Sequence, residues 1–193
     1  MVAFLTLKLG GRPVKIDLSR EECMIGTRVR HAFDVKMRAG VNKNGTLTAL
    51  DMDVVSNTGA YASHGHSVAG AAGAKSRSLY PRAAIKYHAR TVYTNIPAAG
   101  AMRAYGAPQI LFAVDCIVEE AARKIGMDPV EFRLKNVARQ GDSDPLTEEE
   151  FKSCGIVECL EKGKKLIGWD LKRAAIPDRQ TGPLRRGLGV ACF

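Results

Sequence analysis

The chain has 193 residues, enough for one domain or two small ones sharing a core. Its 46% apolar content with few aromatic residues fits an ordinary globule, and no apolar run approaches the roughly 20 residues of a membrane span. The net charge of +9 admits acidic partners, but the basic residues are scattered. No aromatic ladder, RNP-like motif or zinc-finger spacing accompanies them, which argues against a nucleic-acid site.

Residues 1–10 read as the last turns of a helix. No basic leader and no small-residue cleavage pattern mark them as an export signal, so a cytoplasmic protein is expected. Pro13 to Leu18 alternates, with Val14, Ile16 and Leu18 on one face, which predicts a strand. Ser19 with Glu22 three residues on has capping-box spacing and predicts a short helical turn. His31 to Ala39 alternates cleanly, Asn44-Gly45 is a turn signal, and Thr46 to Val55 alternates again. Together they predict a β-hairpin with one face buried. Residues 56–82 are rich in Gly, Ala and Ser and predict a loop and a helix near Val68 to Leu79. Arg82 to Tyr93 then reads as a third long strand.

After a turn-rich loop at Asn95 to Gly106, the residues Ile110, Val114, Ile117, Val118, Ala121 and Ile125 form one apolar stripe of a helix that stops at Gly126. Asp128-Pro129-Val130-Glu131 opens another, with Asp as cap, Pro in the first turn and Glu closing the box. Gly141 to Leu146 is polar loop, Gly155 to Trp169 is helical, and residues 171–186 read as a linker. Leu188 to Phe193 reads as the start of a strand that stops short, which predicts a chain that is part of a longer product. The fold class predicted is α+β: antiparallel strands with helices packed on one side.

Five cysteines, Cys23, Cys116, Cys154, Cys159 and Cys192, form no C-x-x-C pair and no regular spacing. They read as reduced structural thiols and match no iron–sulfur pattern. His64-Gly65-His66 places two imidazoles at alternate positions, but no third ligand for a metal stands nearby.

The segment that carries chemistry is Ala101-Met102-Arg103-Ala104-Tyr105-Gly106-Ala107-Pro108-Gln109. Glycines around it permit a tight turn and a close backbone approach, and Pro108 can open the following helix without wasting a donor. The free amides of that helix end and the planar fork of Arg103 suit a phosphate, a carboxylate or a metal-oxo group, so Arg103 is expected to face a hollow. The competing reading is a structural loop with Arg103 on a surface carboxylate.

This loop resembles the molybdenum-site loop of the xanthine dehydrogenase and aldehyde oxidase family: Ala, an apolar residue, Arg, Gly, an aromatic, Gly, a small residue, Pro, Gln. Ala104 departs from it, standing where Gly is usual. The same family's features recur in order along the chain. They are Gly11-Arg12-Pro13-Val14, Ser19-Arg20-Glu21-Glu22, Arg28-Val29-Arg30-His31, Asn44-Gly45-Thr46-Leu47, Gly59-Ala60-Tyr61-Ala62, Tyr93-Thr94-Asn95 and Asp128-Pro129-Val130-Glu131-Phe132-Arg133. The likeness is strongest to bacterial xanthine dehydrogenase molybdenum subunits.

The resemblance implies that the whole chain, 1–193, is the first part of a molybdopterin-binding domain, with 171–186 linking to a second half. It implies Arg103, Met102 and Ala104 on the pterin cofactor, a dinucleotide, with Arg103 near molybdenum; Arg30 and Tyr105 would face the substrate. It implies an oxidoreductase that hydroxylates a purine or related heteroaromatic with water as oxygen source. The family's glutamate base matches no residue here, so no catalytic residue is assigned and the isolated chain is expected to be inactive. The implied partners are the remaining part of the molybdenum subunit and subunits carrying 2Fe-2S and FAD centres that pass electrons to NAD. The alternative class is a basic, non-catalytic module that binds an acidic partner or nucleic acid.

Overall fold

The computed structural model describes residues 1–176 and 181–193. A three-stranded sheet forms its centre, in the order β1 (Ala32–Val41), β2 (Leu47–Gly59), β3 (Ala84–Tyr93). The strands β1 and β2 are the expected hairpin, antiparallel from Ala32 opposite Asn57 to Val41 opposite Leu47. Its turn uses Gly45 at φ +84, and the Asn44 side chain accepts from the Thr46 amide.

One pairing departs from the antiparallel expectation: β3 runs parallel to β2. The cause is the connection. Helix α3 (Gly65–Leu79) lies between the two strands and carries the chain back along the sheet before β3 begins, the crossover that a parallel pair requires. The sheet is therefore mixed, and the α+β arrangement with helices on one side holds.

Alternation decides the two faces. Leu50, Met52 and Val54 of β2 are buried, with Phe33, Val35 and Met37 of β1 and Ile85, Tyr87 and Ala89 of β3 flanking them. Helix α3 and helix α4 (Ala107–Lys124) cover this face, α4 through Ile110, Leu111, Val114, Val118 and Ala122. At about 25 cal/mol per Å² of apolar surface removed from water, this packing is the main support of the fold. The Tyr87 hydroxyl donates to the Ala69 carbonyl at 2.7 Å, and burial pushes its pKa up to about 12. On the opposite face Asp51 pairs with Arg38 and Lys86, and Asp53 with His88 and Arg90, so its basic side chains are interleaved with carboxylates.

Helix α5 (Pro129–Asn136) follows α4. Asp128 caps it by accepting from the Val130 and Glu131 amides, as the spacing predicts; Glu131 turns to Lys164 at 2.7 Å instead of closing the box. Asn136 clasps the hairpin: it accepts from the Leu47 amide and donates to the Gly45 carbonyl, each at 2.8 Å.

Before the sheet come α1 (Val2–Lys8), the expected helix end, and α2 (Arg20–Gly26), whose Ser19–Glu22 capping box is complete; neither has a buried residue. Pro13 to Leu18, which alternates like a strand, forms none. Among the described residues no neighbouring strand lies alongside to share a ladder, and Ile16 and Leu18 stay exposed. Toward the C-terminus, α6 (Ile156–Ile167) ends at Gly168 in the left-handed conformation and α7 (Trp169–Ala175) begins there. The linker expected at 171–186 is therefore helical at its start; residues 177–180 fall outside the described residues. Leu188 to Phe193 is not a strand, since it has no partner strand among the described residues, and it lies against the core through Val190 and the buried Cys192.

Candidate functional site

Three stretches meet at one end of α4. The first is 28–31, which leads into β1. The second is 98–100: the Val29 amide donates to the Ala98 carbonyl at 3.3 Å, the Gly100 amide to the Val29 carbonyl at 3.0 Å, and the Ala99 amide to Thr58 at the end of β2 at 3.0 Å. A Cβ on Gly100 would fall 2.1 Å from Cδ of Arg28, so only glycine lets these segments approach so closely. The third is the loop 101–109, which this clamp holds over the helix end.

The loop turns through three consecutive left-handed residues: Ala104 (φ +70), Tyr105 (φ +47) and Gly106 (φ +94). For the first two this conformation costs about 1–2 kcal/mol each. Gly106 has no alternative, because a Cβ there would meet the Val68 carbonyl of α3 at 2.5 Å. The turn shrinks the set of bare helix amides expected from the sequence. Ala107 donates back to Ala104, Pro108 has no N–H, and Ile110 donates to Gly106. The Gln109 amide is left without a backbone partner among the described residues.

The five residues singled out from sequence fall here together. Arg103 and Met102 are exposed, and Ala104 and Tyr105 are half-buried. The Arg103 guanidinium has no carboxylate partner among the described residues, so the surface-ion-pair reading of it is not what the structure holds. Arg30 and Arg103 prove to be joined: Arg30 donates through Nη2 to the Arg103 carbonyl at 2.9 Å and through Nη1 to Gln109 Oε1 at 3.5 Å. Gln109 Nε2 donates in turn to the His31 carbonyl at 3.0 Å. Arg30 thus braces the loop.

Sequence reasoning missed two histidines. His31 is 2% exposed, and neither ring nitrogen has a hydrogen-bond partner among the described residues. Burial foremost, and nearby His64 after it, hold its pKa below the ordinary imidazole value. His64 lies 2.7 Å by Nδ1 from the Tyr105 hydroxyl. His64 and His66 form no metal cluster, as no group of three or more metal-ligating side chains occurs among the described residues. In the structure His64 occupies the N-cap of α3, where an imidazole is a poor choice.

The hollow expected beside Arg103 is not there. Of the two best-formed clefts among the described residues neither is lined by Arg103, and the larger, about 860 Å³, is walled by Leu79, Leu111, Val130, Leu160, Trp169 and Phe193. What the loop offers is an open wall. It presents a planar cation without a carboxylate partner among the described residues and an amide at a helix start without a backbone partner. That donor set suits an anionic, oxygen-rich group laid against it.

Comparison with known proteins bears on this wall. The molybdopterin cofactor-binding domain family matches residues 1–137. The xanthine dehydrogenase molybdenum-binding subunit of Escherichia coli O157:H7 is 57% identical over 193 residues, which is 100% of this chain and 26% of that protein. Two solved aldehyde oxidoreductases superpose at 28% identity. The one from Desulfovibrio gigas has a TM-score of 0.70 and the one from Desulfovibrio desulfuricans 0.72; each match covers 89% of this chain and 19% of the other. The chain spans about a quarter of the length of the xanthine dehydrogenase molybdenum-binding subunits it matches.

Proposed function

The chain belongs to the molybdopterin cofactor-binding domain family, and from that premise we propose that it forms one wall of the cofactor and substrate pocket of a xanthine dehydrogenase-type molybdenum hydroxylase. A wall without a hollow fits a segment of about a quarter of such a subunit, whose remaining part would close the pocket.

Arg103 is the residue that carries this reading, because its side chain is exposed and without a carboxylate partner among the described residues, while Arg30 holds its backbone carbonyl. In the proposed role it binds the anionic part of the pterin cofactor, taken as its dinucleotide form, close to molybdenum. Met102 and Ala104 line the same contact, with the Ala104 methyl narrowing the backbone's approach. Tyr105 offers a flat ring to a purine or related heteroaromatic substrate. Arg30 holds the loop and supplies positive charge behind the ring, where negative charge would build during attack. When bound, the molybdenum centre supplies oxygen derived from water and takes up two electrons. This chain's own groups bind, orient and stabilise charge, and the catalytic base belongs to the remaining part of the subunit. Electrons would leave through 2Fe-2S and FAD partner subunits to NAD, in the cytoplasm.

The test is pterin and molybdenum content of the full-length subunit carrying this segment. Arg103→Ala should cut bound pterin at least tenfold, as lost charge-assisted hydrogen bonds of about 1.5–3 kcal/mol imply. It should leave the melting temperature of the 193-residue chain within a degree or so, since the side chain is exposed. Full pterin retention in the variant, or no pterin in the parent protein, would refute the proposal.

A further inference from the structure

His64 occupies the N-cap of α3, where a Ser, Thr, Asp or Asn side chain would accept a bond from the helix's first amides. Its side chain makes no capping bond. It reaches instead across to the loop, with Nδ1 2.7 Å from the Tyr105 hydroxyl. The two rings meet edge to face, with centroids 5.8 Å apart and planes at 86°. The contact runs through rim atoms, Nδ1 and the phenol oxygen, so the hydrogen bond occupies neither face of the Tyr105 ring.

Tyr105 itself holds φ +47, a backbone conformation that bulky residues rarely adopt. The Tyr105 amide donates to the Met102 carbonyl at 2.8 Å, which fixes the backbone of the turn. The side chain then needs its own anchor if the ring is to keep one orientation. In the tautomer with its proton on Nε2, Nδ1 carries the lone pair and the Tyr105 hydroxyl donates to it.

We infer that His64 is a positioning residue: by accepting the Tyr105 hydroxyl at Nδ1 it fixes the plane of the ring two residues from Arg103, and so turns a swivelling side chain into a rigid wall for a flat heteroaromatic substrate. The substrate-facing part of this statement rests on the proposed function; the ring coupling stands on the geometry alone. A phenylalanine at 105 would keep the apolar face and lose the anchor. The gain is pre-organisation, since the ring is ordered before any ligand arrives.

The experiment uses the full 193-residue chain labelled with ¹⁵N and ¹³C. Long-range ¹H–¹⁵N spectra should show His64 with its proton on Nε2 and Nδ1 acting as acceptor. Tyr105→Phe should move both His64 ring nitrogens while His88, on the far face of the sheet, stays in place. His64→Gln, whose Oε1 can also accept the phenol proton, should keep the Tyr105 ring signals near their parent positions; His64→Leu should displace them. His64 nitrogens unmoved by Tyr105→Phe, or Tyr105 signals equal in the Gln and Leu variants, would overturn the inference.

In the full-length subunit, His64→Leu should raise KM for xanthine roughly three- to tenfold, the worth of an oriented aromatic contact, with pterin content unchanged and with rescue by His64→Gln. An unchanged KM would remove the substrate role. Absence of pterin from the parent subunit would sink the proposed function, and the ring coupling would still be decided by the spectra.

Discussion

Two arginines flank α4, one in α5 bonded to its middle and one in the loop ahead of its N-terminus, and the two are built in opposite ways. Near the C-terminal half, Arg133 of α5 is fully buried. Its donors go to Asp115 at 2.8 and 3.2 Å, to Glu119 at 3.3 Å and to the Pro129 carbonyl at 3.2 Å. Asp115 also accepts from the Cys192 amide, tying down the last residues, and the Tyr80 hydroxyl is buried beside the group with its pKa pushed up by burial. At the N-terminal end, Arg103 projects from a turn held by other residues and has no carboxylate partner among the described residues. The charge that serves the fold is surrounded and satisfied; the charge proposed to serve a bound cofactor is left open and its backbone is held instead. Arg30 makes the point, spending its guanidinium on the Arg103 carbonyl and not on a carboxylate.

Breaking the satisfied end should have the largest effect. Arg133→Met leaves Asp115 desolvated opposite a thioether, at a cost of about 3–5 kcal/mol. Urea melts should show it as a large fall in midpoint, and a loss below about 1 kcal/mol would mean the buried network is not what holds α4 to α5. Next comes the strained turn. Ala104→Gly removes a Cβ from a left-handed position and should stabilise the chain by about 1 kcal/mol, raising the melting temperature; a lowered one would show that the methyl packs usefully. The smallest effect is a pH slope at the root of the same turn. His31 has a folded-state pKa below its unfolded value, so the unfolded chain binds the extra proton first as pH falls. Its contribution is present above the ordinary imidazole value of about 6.5 and is lost as pH drops below it toward the depressed folded value. Comparing chemical melts at pH 7.5 and 5.5 should show a loss that His31→Leu reduces. Equal slopes in both proteins would relocate the titrating group.

Much of this was legible in the sequence, for identifiable reasons. The hairpin could be read because its alternation and Asn44-Gly45 name both the strands and the turn. The helices α4 and α5 could be read because a stripe and a cap are local signals. The direction of β3 could not, because alternation is the same in parallel and antiparallel pairs; only the helical crossover settles it. Pro13 to Leu18 shows the converse, an alternating run with no strand to pair. At the site, the Arg103 loop was visible as a local motif. The brace was not: Arg30 meets the loop 73 residues away in sequence and Gln109 meets His31 at 78. His64 was read only as half of a metal motif, since a lone imidazole gives no hint of which tyrosine it will meet 41 residues on.

The parallel crossover has a consequence for how the molecule assembles. The partners on β1 and β2 are near neighbours around a short turn, while those on β2 and β3 lie 35 residues apart at every rung from Ala49 with Ala84 to Val55 with Arg90. Closing that distance costs chain entropy before any contact repays it, and α3 must condense in between. The hairpin therefore forms first and β3 zips on late. Until it does, the flank of Met52 and Val54 lies bare, so the interval between synthesis of β2 and arrival of β3 is when this chain is most open to aggregation.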